Sequence, residues 1–104
     1  MAGDTDIISI LIPDGESHML VYIVNCLGSK GGIQIHVMSS LRSSPLQFSR
    51  YVNSYSYYPD NDDDLKWIQN INNEIDKYHI DVIMPIWEIG IERILRNKNL
   101  LKSS

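Results

Sequence analysis

A chain of 104 residues with a net charge of −4 is long enough for one small domain, and it lacks the basic stripe that nucleic-acid binding requires. Its 43% hydrophobic and 21% charged residues are ordinary for a globular protein, which excludes disorder and fibrous repeats. No apolar run approaches the roughly 20 residues that span a bilayer, and the N-terminus has no basic segment of a secretory signal. We therefore predict a single cytoplasmic domain over residues 1–104, without a nucleic-acid or membrane partner.

The first half of the chain predicts a strand, a helix and a second strand. Residues 7–12 form an apolar, β-branched run that is typical of a strand covered on both faces. Ser17 suits a helix N-cap, and apolar side chains then recur at helical spacing as far as Gly28, the expected C-terminal cap. Residues 33–38 form the second strand, and this order predicts parallel pairing through a right-handed crossover.

The middle of the chain predicts a loop, a short strand and a long helix. Residues 39–49 are rich in serine and indicate a loop. A third strand is expected at residues 54–58, and carboxylates at residues 62–64 suit the positive end of a helix dipole. Apolar side chains recur every three or four residues from there to Tyr78, which indicates an amphipathic helix.

The last part of the chain predicts one more strand and one more helix. Residues 81–86 form an apolar strand, and residues 88–96 form a helix with Ile91, Ile94 and Leu95 expected to face the core. Four strands alternating with three helices predict an α/β fold, a small Rossmann-like domain whose four-stranded parallel sheet carries helices on both faces. An exposed sheet edge and a thin core favour a partner surface, so a homodimer is one expected arrangement.

Ligands of open parallel sheets bind beyond the carboxyl ends of the strands, which makes the loop after the first strand a candidate site. In residues 13–17 a glycine permits a tight turn, and the following helix N-terminus offers free backbone N–H groups. Asp14 and Glu16 would repel a pyrophosphate and better suit an amine, a hydroxyl or a metal-shielded group. A turn before a charged helix start explains the same residues without a ligand, so both interpretations stay open.

Glu88 begins the last helix near the same edge of the sheet. Pairing with the helix dipole explains it without a ligand, and convergence with Glu16 is expected if their strands are neighbours. A dinucleotide site is not predicted, because Pro13 and His18 replace the first and third glycines of its fingerprint. No histidine or cysteine has metal-ligand spacing, so no metal site is predicted.

A group of serines, arginines and tyrosines occupies residues 39–58. Arg50 and the neighbouring aromatic rings would allow this group to bind a base or an anion. Tyrosines of this kind more often fill the underside of a loop with their hydroxyls at the surface, which is the interpretation that we prefer.

These motifs, in this order, resemble the N-terminal (pre-ATP-grasp) domain of carbamoyl-phosphate-synthase-like ATP-grasp ligases. The resemblance covers residues 7–95. The segments that carry it are PDGES at 13–17, CLG at 26–28, HVMSS at 36–40, FSRY at 48–51, YYP at 57–59 and DVIMP at 81–85.

The resemblance implies an enzyme that joins a carboxylate to an amine or similar nucleophile through an acylphosphate, with ATP and magnesium held by two later ATP-grasp domains. Those domains are not in this sequence, so we expect no catalysis, cofactor or metal in this part alone, and the ATP-grasp domains of the parent chain as its partners. The resemblance also implies contacts to a small-molecule substrate from Asp14, Gly15, Glu16, Ser17 and Glu88, and from Arg50, whose motif could instead serve the fold alone.

Two other functions fit the same pattern. A stand-alone ligand-binding or dimerisation domain of Rossmann-like fold is the main alternative. A phosphoacceptor receiver domain has the same general shape, but it requires an aspartate at the end of the third strand, where this chain has Tyr57, Tyr58 and Pro59.

Overall fold

The strands and helices follow one another along the chain in the predicted order. The computed structural model describes residues 7–17, 19–42, 49–59 and 63–101, so His18, Phe48 and Asp62 lie outside the described residues. The elements are β1 (Ile8–Ile12), α1 (Leu20–Gly28), β2 (Ile33–Ser39), β3 (Val52–Tyr57), α2 (Asp64–Tyr78), β4 (Val82–Ile83) and α3 (Glu88–Arg96), followed by a 3₁₀ turn at Lys98–Leu100.

The four strands form one parallel sheet in the order β3-β2-β1-β4. Ile10 lies opposite Ile35 on one side and Val82 on the other. The register between β2 and β3 shifts after Ile35, where Asn53 is an extra residue whose side-chain oxygen accepts the Ile35 N–H at 3.0 Å. The predicted α/β fold class with a parallel sheet is confirmed.

Helices cover both faces of the sheet, because side chains of each strand alternate between the two faces. Towards α1 lie the buried side chains Ile10, Ile12, Ile35 and Val37, which pack with Leu20 and Val24. Towards α2 lie Leu11 and Met38, which pack with Trp67, Ile68 and Ile71. The central strands are therefore buried on both sides, as the continuous apolar runs predicted.

The fourth strand is shorter than the sequence predicts. Met84 still donates its N–H to Leu11 O at 2.8 Å, but Pro85 has no N–H to contribute. The next donor, Ile86 N–H, bonds to the Asp14 side chain instead of a neighbouring strand. The chain thus leaves the sheet after Met84, and the predicted strand at residues 81–86 was too long.

Helix α1 begins later than its predicted start. Ser17 is not its N-cap: the hydroxyl accepts the Met19 N–H at 3.1 Å and closes a turn just before the helix, whose N-cap is Met19. At the other end, Gly28 is the last helical residue, and Ser29 is the C-cap. A side chain at Gly28 would overlap the ring of Tyr51, so this glycine is needed for close packing.

The inward face of α3 differs from the prediction. Ile94 packs against the α2 side of the core, as expected, whereas Ile91 is 44% exposed and Leu95 is 65% exposed. Arg93 takes the inward position instead and forms an ion pair with Asp64 at 2.8 Å. Hydrogen bonding from Arg93 also lowers the pKa of the Asp64 carboxyl. A polar contact between helices therefore sets the orientation of α3.

Polar side chains are buried between β2, β3 and α2. Glu74, only 1% exposed, accepts hydrogen bonds from Ser56 Oγ and Tyr58 Oη, each at 2.9 Å. His36 Nδ1 lies 2.8 Å from Ser54 Oγ, whereas its buried Nε2 has no hydrogen-bond partner in the described part of the chain. We define these five residues as the polar cluster. Burial raises the pKa of Tyr58 well above its usual range, and the Glu74 carboxylate adds to this effect.

The polar cluster makes stability depend on pH through His36. Burial lowers the pKa of His36 from its usual 6.5, against the opposing charge of Glu74, so the unfolded chain takes up this proton first. The free energy of unfolding should therefore fall as the pH drops from 7 to 5. Chemical denaturation should show a smaller fall in His36→Gln, and an equal fall in both proteins would assign the effect to another group.

A left-handed residue ends α2 and offers a test of backbone strain. His79 has φ of 55°, in the region that favours glycine, and its side chain is exposed. His79→Gly should raise the free energy of unfolding by about 1 kcal/mol. In the reverse control, Gly31→Ala at φ of 74° and in open space should lower it by about 1 kcal/mol. A loss of stability in His79→Gly would contradict this account.

Candidate functional site

A cleft lies at the carboxyl edge of the sheet, beyond the ends of β1, β2 and β4. The chain passes from β1 to β2 on one side, whereas β4 pairs with β1 on the other side, so the strand order reverses between β1 and β4. Ligands of open α/β sheets bind at such a reversal. The cavity there measures about 160 Å³ and is lined by Asp14, Glu16, Ser40, Trp67, Trp87, Ile89, Gly90 and Arg93.

Gly15 allows the loop after β1 to lie directly on the end of β2. Its N–H donates to Met38 O at 2.9 Å. An added Cβ would come within 2.6 Å of a Val37 methyl carbon and 2.8 Å of Met38 O, which is too close for any other residue. The glycine of the predicted turn is thus required by close packing of the loop rather than by an unusual φ angle.

Asp14 joins the loop after β1 to the start of α3. Its carboxylate accepts the Ile86 N–H at 3.0 Å and the Trp87 N–H at 2.8 Å, and the residue is only 4% exposed. A side chain at Gly90 would overlap Asp14 Oδ2, so the first turn of α3 closes directly over the carboxylate. Burial raises the pKa of Asp14, while the backbone N–H donors of Ile86 and Trp87 oppose the rise.

Glu16 ties the same loop to the segment that follows β2. Its carboxylate accepts the N–H of Ser40. Ser17 completes the turn on the other side, because its N–H donates to Asp14 O at 3.2 Å and its O accepts the Leu20 N–H at 3.1 Å. The loop at residues 13–17 is therefore hydrogen-bonded to the ends of β2 and β4 and to the start of α1.

The remaining wall of the cleft joins α2 to α3. Trp67 donates its indole N–H to Pro13 O at 3.3 Å, and the Arg93 guanidinium lies 4.1 Å from the centre of the Trp67 ring. Neither Trp67 nor Arg93 was among the site residues predicted from the sequence. The sequence does not show whether a tryptophan in an amphipathic helix packs in the core or lines a cleft.

The predicted site residues separate into three groups. Asp14 and Glu16 line the cleft, whereas Gly15 and Ser17 shape its loop. Glu88 is exposed and does not belong to the cavity lining, so the expected convergence with Glu16 is not observed. Ile89 and Gly90 contribute to the lining from the same helix turn instead.

Arg50 lies away from the cleft. It precedes β3, at the amino edge of the parallel sheet, and its guanidinium donates to Tyr51 Oη at 3.2 Å. Tyr51 and Tyr55 pack against the α1 side of the core, and Tyr55 Oη donates to Leu41 O at 2.9 Å. Tyr51 and Tyr55 therefore contribute to packing with their hydroxyls bonded at the surface, whereas the Tyr58 hydroxyl is bonded to the buried Glu74. A binding role for Arg50 stays a prediction.

The cleft combines negative charge with an apolar mouth. Asp14 and Glu16 supply carboxylate oxygens, while Trp87 and Ile89 are 41% and 52% exposed beside them. Each carboxylate has lone pairs beyond those used by the backbone donors, so it can accept a further hydrogen bond. Ser40 is the one lining residue with a hydroxyl group, and no histidine lies among the lining residues. The lining therefore contains no hydroxyl nucleophile paired with a histidine base.

Neither a metal-binding group nor a membrane-spanning helix occurs among the described residues. No group of three or more histidine, cysteine, aspartate or glutamate side chains there is arranged to hold a metal ion. None of the helices in the described ranges has the length and apolar character to cross a membrane.

The Asp14 hydrogen bonds should make a measurable contribution to stability. Asp14→Ala leaves the Ile86 and Trp87 N–H groups without an acceptor and should lower the free energy of unfolding by about 2–4 kcal/mol. Asp14→Asn retains an acceptor oxygen and should cost less. Glu92→Ala, at an exposed carboxylate of α3, is the control and should change stability by less than about 0.5 kcal/mol. Equal stability of Asp14→Ala and the unaltered protein would contradict this role.

No protein-family model matches this chain, and no curated protein matches it. The geometry of the cleft is therefore the basis for its functional interpretation.

Proposed function

We propose that this domain binds an amine-bearing small molecule in the cleft at the carboxyl edge of the sheet, as the substrate-side module of an ATP-dependent ligase. The observation that carries the proposal is the pair of carboxylates, Asp14 and Glu16, which line a cavity beside the exposed faces of Trp87 and Ile89. A carboxylate pair attracts a cationic amine, and an apolar mouth accommodates its carbon skeleton.

The size of the cleft favours a small ligand. A cavity of about 160 Å³ is below the range of roughly 300–1,000 Å³ that drug-sized ligands and cofactors occupy. An amino acid amide or a short alkyl amine has suitable dimensions, and its ammonium group could donate to both carboxylates. The domain would hold this amine while another part of the ligase activates the carboxylate substrate.

ATP does not fit the cleft of this domain. The lining carries two carboxylates, which repel a triphosphate, and its one base, Arg93, is paired with Asp64 and stacked on Trp67. The proposal therefore assigns nucleotide, magnesium and catalysis to the ATP-grasp domains of a parent chain, which would be the partners of this domain in the cytoplasm.

Titration with amines tests the binding part of the proposal. Glycinamide and ethylamine should shift the amide resonances of residues 14–16 and 87–90, whereas acetate and ATP should not. Glu16→Gln should raise the Kd for the amine by about tenfold or more, since a hydrogen bond to a charged group contributes roughly 1.5–3 kcal/mol. Glu92→Gln, which removes a carboxylate outside the cavity lining, is the matched control and should bind as the unaltered protein does.

Two results would contradict amine binding. One is the absence of any response to the amines at concentrations where the domain stays folded. The other is an equal loss of affinity in Glu16→Gln and Glu92→Gln, which would indicate non-specific attraction to the acidic surface.

The ligase part of the proposal has a separate test. Sequencing the transcript beyond the codon for Ser104 should reveal an ATP-grasp segment of about two domains in the same reading frame. A stop codon at that point would contradict the ligase assignment and favour a stand-alone ligand-binding domain, while the amine titration would still test the cleft itself.

A further inference from the structure

The outer surface of α3 carries an apolar stripe. Ile91 and Leu95 are 44% and 65% exposed and lie one helical turn apart, and Trp87, 41% exposed, precedes them by another turn. Residues four apart share one side of a helix, so the three side chains form a continuous row. A surface helix normally turns its charged side to water and its apolar side to the core.

Contacts on the adjoining side of α3 explain why the stripe faces outward. Gly90 contacts Asp14, and Arg93 pairs with Asp64, so the inward side is fixed by close packing and by charge. Ile94 is the apolar side chain of α3 that packs with the core cluster on the α2 side. The orientation of the helix thus leaves its most apolar row available to a partner.

The charges beside the stripe have opposite signs at the two ends of the helix. Glu88 and Glu92 are exposed in the N-terminal half, whereas Arg96 and Lys98 are exposed at the C-terminal end. A second copy of the helix running in the opposite direction would place acidic residues against basic residues at both ends. The surface is therefore complementary to itself, as a two-fold interface requires.

We infer that α3 is the contact surface between two copies of this chain, with the two helices antiparallel about a two-fold axis near Arg93. In this register Ile91 of one copy lies opposite Leu95 of the other, and Glu88 of one copy lies opposite Lys98 of the other. Trp87 extends the contact to the mouth of the cleft. The inference does not depend on amine binding or on the ligase assignment.

The size of the contact predicts weak association. A helix of nine residues is about 14 Å long, so a pair of them buries less area than a standard interface of roughly 1,600 Å². We expect a reversible dimer whose population rises with protein concentration. Its salt dependence should follow the opposed charges, with weaker association at high ionic strength.

Sedimentation velocity from low micromolar to millimolar concentration tests the inference with a matched pair of variants. Leu95→Lys should raise the Kd of the dimer by about tenfold or more, because it places a charge in the apolar centre of the contact. Leu65→Lys on α2 is the control, since Leu65 and Leu95 are almost equally exposed, at 64% and 65%. The control should dimerise as the unaltered protein does.

A charge exchange tests the antiparallel register. Glu88→Lys should weaken the dimer, because Lys98 of the other copy would then face a like charge. Combining Glu88→Lys with Lys98→Glu should restore the original affinity, an outcome that a merely structural role for either residue does not produce. Circular dichroism and thermal melting should show that the variants stay folded.

Three results would overturn the inference. A monomer at every concentration would leave the stripe to a different protein or to another segment of a longer chain. Equal dissociation by Leu95→Lys and Leu65→Lys would place the contact elsewhere. Failure of the double charge exchange to restore the dimer would exclude the antiparallel arrangement.

Discussion

A buried carboxylate holds the carboxyl edge of this sheet together. Asp14 receives two backbone N–H groups from the connection between β4 and α3, which lies more than seventy positions further along the chain. That contact ends β4 early, sets the first turn of α3 and leaves room for no side chain at Gly90. The loop after β1 is in turn fixed on β2 through Gly15 and Glu16. One side chain thus joins two of the four chain segments that line the cleft.

The same contact has two consequences for binding. It makes the cleft largely pre-formed, since the lining loops are bonded to one another before any ligand arrives. It also occupies part of the carboxylate that a ligand would use, and burial already raises the pKa of Asp14. Glu16, bonded through one backbone N–H and half-buried, is therefore the better placed of the two carboxylates to receive a cationic ligand.

The strands and helices could be predicted from the sequence because the spacing of apolar residues that marks each element involves only neighbouring residues. The bounds of α3, residues 88–96, were predicted correctly, as was the parallel strand, helix, strand order. The inward side of α3 was not predicted correctly. An ion pair between Arg93 and Asp64 and the packing of Gly90 outweigh the burial of Ile91 and Leu95. The early end of β4 and the cleft role of Trp67 also depend on residues distant in the chain, which periodicity does not report.

The polar cluster between β3 and α2 has a consequence for motion. Most of the sheet is joined to its helices by apolar side chains, whereas β3 and the residue after it meet α2 through hydrogen bonds from Ser56 and Tyr58 to Glu74. Water replaces a hydrogen-bonded contact more readily than an apolar one, and β3 is also an edge strand. Local unfolding should therefore begin at this edge, where backbone amides exchange with solvent sooner than those of β1 and β2.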